Sequence, residues 1–121
     1  MSQIDRRSLL ALFGTSLIAG PVFAQGASVA PADFKGKVFV TERGGVRVHT
    51  YMAEPSGAMV TSHIVETQNG LVLVDGQFIA TAAQELKRYM TSLGKPVTRA
   101  LLSHAHPDHW FGFNHAGIAE V

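Results

Sequence analysis

Four residues within six positions, His104, His106, Asp108 and His109, can do chemistry in this chain. They lie in the run Ser103-His104-Ala105-His106-Pro107-Asp108-His109. Imidazole nitrogen and carboxylate oxygen form the donor set that zinc takes in catalytic sites. In extended backbone, side chains two apart point to the same side, so His104 and His106 can close on one ion. Pro107 disfavours helical geometry at His106 and keeps the chain extended through both histidines. Its own fixed φ then suits a change of direction. Asp108 and His109 follow as neighbours in a turning backbone, aimed at a different point. The run thus offers two ligands to one metal and two to another.

These residues need a frame. Strands are expected over 37–42 and 46–52 about a turn at Arg43-Gly44-Gly45, and over 59–67. Gln68-Asn69-Gly70 then turns the chain into 71–75, and Asn-Gly between two β-rich runs is a strong hairpin signal. Leu71-Val72-Leu73-Val74 is apolar at every position, as in a strand buried on both faces. A helix is expected over roughly 81–93, with Thr81 and Gln84 as a capping box. Ala83, Leu86, Met90 and Leu93 form its apolar stripe, Lys87 and Arg88 stay in water, and Gly94 with Pro96 ends it. A second buried strand over 97–103 leads into the histidine run. Strand, helix and strand make a crossover unit, and the run sits at the carboxyl end of its second strand, where such sheets build their sites.

The pattern His-X-His-X-Asp-His after an apolar strand, with an upstream strand ending in Asp75-Gly76 and a helix between, resembles the metallo-β-lactamase superfamily. The resemblance covers about residues 59–113. It implies an α/β fold, the N-terminal half of an αββα sandwich, with one or two metal ions held at the loop. Those ions are usually zinc, and iron occurs in oxidoreductases of the same fold, such as persulfide dioxygenases. By resemblance, His104 and His106 ligate the first metal, Asp108 and His109 the second, and Asp75 orients ligand histidines from behind. The implied activity is hydrolysis of an ester, amide, lactone or related bond in a small-molecule substrate. A metal-held water, made acidic enough to exist as hydroxide near neutral pH, attacks, and Asp108 orients it and handles a proton. The family's further ligands, a third histidine, a bridging carboxylate and a last histidine, lie downstream of the loop. The chain ends at Val121 without them, so the expectation for 37–121 is an incomplete domain, inactive by itself.

Other features narrow the reading. Arg6-Arg7 precede an apolar stretch over 9–19, and Val22-Phe23-Ala24 offers a cleavage site before Gln25, so 1–24 read as a secretory signal peptide. The apolar stretch is shorter than the roughly 20 residues a membrane span needs, so no stable anchor is expected. The paired arginines followed by Ser8-Leu9-Leu10 resemble a twin-arginine signal, with Asp5 and Ala11 as departures. Export to the periplasm or beyond follows. Residues 25–36, rich in Ala, Gly, Ser and Pro, read as a linker or a loosely held first segment.

The whole chain carries a formal charge of +1, and removing Asp5, Arg6 and Arg7 leaves eight basic and eight acidic residues. No basic stripe points to a nucleic-acid partner. With no cysteine, disulfides and thiolate ligands are excluded. His49 is expected to be exposed on its strand and His63 to be structural or on the surface. His115 is placed off the metal site, and Trp110, Phe111 and Phe113 are read as core.

Overall fold

Gly44 and Gly45 have φ of 59° and 77°, the two left-handed residues that a tight hairpin needs and that glycine adopts without penalty. They join strand β1 (Lys37–Arg43) to β2 (Val46–Met52) in the computed structural model, which describes residues 26–119. The signal peptide read over 1–24 lies outside the described residues. β3 (Thr61–Glu66), β4 (Leu71–Val74), helix α1 (Ala80–Ser92) and β5 (Val97–Leu101) follow. The five strands pair in chain order; the first four are antiparallel and β5 is parallel to β4. The parallel step is the one that α1 bridges, as a crossover requires. Among the described residues no helix is long and apolar enough to cross a membrane.

The register divides the sheet into two faces. Val38, Tyr51, Ile64, Leu71 and Leu73 are fully buried on one of them, in a cluster with Ala83, Leu86 and Met90 of α1. Phe39, Val48, Val65, Val72 and Val74 fall on the other face by register and are only half-buried, while Leu101 there is exposed. β4 is therefore buried on its helix side alone, not on both. β5, expected to be buried, has β4 as its sole neighbour among the described residues and is largely exposed.

Several local expectations are corrected. Ala58 and Met59 have positive φ after a 3-10 turn at Pro55–Gly57, so β3 begins at Thr61 and not at Met59. The helix starts at Ala80 with Ile79 as its N-cap and no side-chain cap, so Thr81 and Gln84 form no capping box. Residues 26–36 are held firmly rather than loosely. Val29 N–H donates to the Val38 carbonyl, and Lys35 and Gly36 N–H donate to Glu85 of α1. Glu85 also accepts from Tyr51 Oη, which gives a buried carboxylate on the helix stripe three partners. Burial comes first, and Glu85 second, in pushing the Tyr51 hydroxyl well above its ordinary pKa.

His49 is the clearest departure. It is 4 % exposed, with Nδ1 2.8 Å from Tyr89 Oη and Nε2 2.7 Å from Glu66 Oε1. It stands on the helix face of β2, where α1 supplies Tyr89 and the next strand supplies Glu66. Lys95 and Arg47 close on the same glutamate.

Candidate metal centre

Parallel pairing sets Asp75 beside the base of the histidine run. Asp75 N–H donates to the Leu101 carbonyl at 2.9 Å, which is the last rung of the β4–β5 ladder. The next rung is made by a side chain: Ser103 N–H donates to Asp75 Oδ1 at 2.8 Å. This diverts the chain, so β5 stops at Leu101 instead of reaching Ser103 and the backbone bends over 103–105. Asp75 Oδ2 accepts from Ser103 Oγ at 2.6 Å and from His109 Nδ1 at 2.8 Å. Burial pushes the Asp75 carboxyl up, yet these donors outweigh it and hold the pKa below the ordinary value. Asp75 also has φ of 65° and Gln77 of 77°, conformations that cost non-glycine residues about 1–3 kcal/mol each.

That strain is held by a second set of contacts. Gly76 N–H donates to the His109 carbonyl, Gly112 N–H to the Gln77 carbonyl, and Gln77 Nε2 to Val60 O and Ser62 Oγ. A Cβ at Gly112 would run into the carbonyls of Gly76 and Gln77. The chain after the histidine run is thus packed directly on the turn after β4.

His106 is extended, with φ −68° and ψ 134°, ahead of a 3-10 turn at Pro107–His109. The turn brings His109 back towards His104. Their ring centroids lie 4.1 Å apart, closer than His104 and His106 at 4.8 Å. The bend over 103–105 and this return set the rings of His106 and His109 both beside that of His104. Asp108 Oδ2 stands 3.6 Å from His109 Nε2 and is partly open to water. Trp110 Nε1 donates to the Ala105 carbonyl at 3.1 Å and braces the loop.

Asp75, His104 and His109 each bring a ligand atom within 4.8 Å of the others. Asp75 already accepts three hydrogen bonds there. The donor types and the convergence of these three fit a metal ion, and His106 and Asp108 lie outside that group.

A model of the metallo-beta-lactamase superfamily matches residues 56–116. The chain belongs to that superfamily. The match runs from the 3-10 turn before β3 through the histidine run, so it takes in every element that positions this metallo-beta-lactamase-superfamily site. No curated protein matches the chain.

The remaining residues fall elsewhere. His63 Nδ1 bonds Thr50 Oγ1 on the sheet face away from α1, and His115 is exposed. Phe113 is core, but Trp110 and Phe111 are 39 % and 55 % exposed, with Phe111 stacked on Phe78 at 6.1 Å. Sequence reasoning missed Ser103 as a member of the site, since adjacency to His104 was its only signal.

Proposed function

We propose that this chain provides the metal-binding loop of a zinc-dependent hydrolase acting on an ester, amide, lactone or related bond of a small molecule. The observation that carries this is the single cluster of His104, His106 and His109 with the Asp108 carboxylate beside it, at the carboxyl end of a parallel strand pair. His104 and His106 would hold one ion, and Asp108 with His109 a second. Zinc supplies Lewis acidity and lowers the pKa of water it holds.

The chain's own residues do the rest. Asp75 accepts a hydrogen bond from His109 Nδ1, so Nε2 is the nitrogen that would hold an ion. Asp108, the most open of the carboxylates at the site, takes the proton of the attacking water at a carboxylate oxygen and returns it to the leaving group. The sheet and α1 would form the first two layers of an αββα sandwich. This is supported by the apolar face of Phe39, Val48, Val65, Val72, Val74 and Leu101, which has no layer against it among the described residues. Export by a twin-arginine signal over 1–24 completes the reading.

Calorimetric titration of the full chain with zinc tests it, together with a panel of ester, lactone and β-lactam substrates. Zinc binding that His104→Ala, His106→Ala and His109→Ala each weaken at least about tenfold is the expected result. Binding that is indifferent to all three overturns the metal reading.

A further inference from the structure

We propose that Ser103 is a positioning residue for His104: its hydroxyl relays the Asp75 carboxylate to the His104 ring, so that one aspartate orients two imidazoles. The inference rests on the metal reading above for its purpose, though not for its geometry.

The argument is a count of protons. Asp75 accepts at both oxygens, with Ser103 N–H on Oδ1 and both Ser103 Oγ and His109 Nδ1 on Oδ2. An ionised carboxylate has no proton to give. The single hydroxyl proton of Ser103 therefore points at Asp75 across the 2.6 Å contact. If it pointed elsewhere, two lone-pair oxygens would face each other at that distance. The second partner of Ser103 Oγ is His104 Nδ1, 2.8 Å away. With its proton committed, the hydroxyl can only accept there, so His104 Nδ1 must carry a hydrogen. A neutral imidazole has one N–H, and His104 is left with its lone pair on Nε2.

His109 reaches the same state directly, because its Nδ1 donates to Asp75 without an intermediary. The two rings lie 4.1 Å apart between centroids, and both have Nε2 as their free nitrogen. No such partner on Nδ1 of His106 is present among the described residues. The cluster therefore contains two rings set by Asp75 and one that is not. The reach is the physical point: Asp75 touches His109 directly but is one hydroxyl away from His104, and serine is the residue that spans the gap. Its backbone N–H and its side chain bond the same carboxylate, which leaves the hydroxyl little rotational choice.

Two readouts on the full chain test this. The first needs no metal. In nitrogen–proton correlation spectra of histidine-labelled protein, at a pH well above the ordinary histidine pKa of about 6.5, His104 should carry its proton on Nδ1. Ser103→Ala should release the ring to the other tautomer or a mixture, while Ser103→Thr, which keeps the hydroxyl, should hold it. The second is zinc affinity, which Ser103→Ala should lower about 10–100-fold and Ser103→Thr should largely preserve.

A wild-type His104 protonated on Nε2, or a tautomer that Ser103→Ala leaves unchanged, overturns the relay. The wild-type spectrum decides the first of these even if a variant does not fold. Zinc binding that depends on His104 and His109 but not on Ser103 also overturns the relay, while leaving the metal reading intact. The expected tautomers in a chain that binds no zinc would uphold the relay and remove the metal reading.

Discussion

Asp75 and His109 are 34 positions apart in sequence, and Asp75 Oδ2 accepts a 2.8 Å hydrogen bond from His109 Nδ1. The contact exists because β4 and β5 are parallel neighbours, which sets the residue after β4 beside the loop after β5. It converts a conformational choice in one strand's turn into the orientation of a ring in another's.

Asp75→Asn tests that contact. Ser103 N–H will retain the amide oxygen as its acceptor, which turns the NH2 group towards His109. The His109 ring must then accept at Nδ1 and carry its proton on Nε2, the nitrogen needed for metal. Zinc affinity is expected to fall about 10–100-fold with the fold intact. A titration indistinguishable from wild type would show that Asp75 does not set this ring.

Glu66 carries a pH dependence away from the site. Its hydrogen bond from Lys95 first, and that from His49 second, lower its pKa from 4.5 to about 2. A folded pKa below the unfolded one means stability that is complete above the unfolded value and declines as pH falls through the folded one. The contribution should therefore be full above pH 4.5 and fade towards pH 2. Lys95 is exposed, and solvent screening of its pair with Glu66 limits the contribution to roughly 1–2 kcal/mol. Urea midpoints measured across that window should slope less in Glu66→Gln than in wild type, and parallel curves would refute the assignment.

Glu85 holds residues 26–36 to the fold through Lys35 N–H, Gly36 N–H and Tyr51 Oη. Glu85→Ala leaves these donors without a partner, at about 1–3 kcal/mol for each one that stays buried. The Lys35 and Gly36 amides should then exchange with deuterium much faster than in wild type. Asp33→Asn, which removes only an exposed pair with Arg88, should cost less than about 1 kcal/mol. Equal effects of the two variants would contradict a special role for Glu85.

Export is testable without structure. Residues 1–30 fused to a reporter that must fold before crossing the membrane should carry it to the periplasm, and Arg6→Lys with Arg7→Lys should stop it. Continued export of the double variant would indicate the general secretory route.

Much of the frame was legible because it follows from local chemistry. Gly44-Gly45 marks a hairpin wherever it stands between β-rich runs, and Ala83, Leu86 and Met90 are spaced for one helix face. What failed depended on neighbours remote in sequence. His49 looks like any polar residue in an alternating strand, and only the arrival of Tyr89 and Glu66 makes its burial tolerable. Thr81 and Gln84 have the spacing of a cap, but the chain enters the helix from the strained turn over 75–77, and the first helical residue is Ala80.

The sequence by itself determined which atoms are available at the candidate centre and in what order. Three imidazoles and a carboxylate lie within six positions, and this holds in any fold the chain adopts. The tertiary structure decided which ring nitrogens are free and where the rings meet. A tautomer is set by a hydrogen bond, and the bonds that set His104 and His109 end on Asp75, which strand pairing alone brings near. The bend that gathers the rings begins where Ser103 N–H leaves the strand ladder for the Asp75 carboxylate.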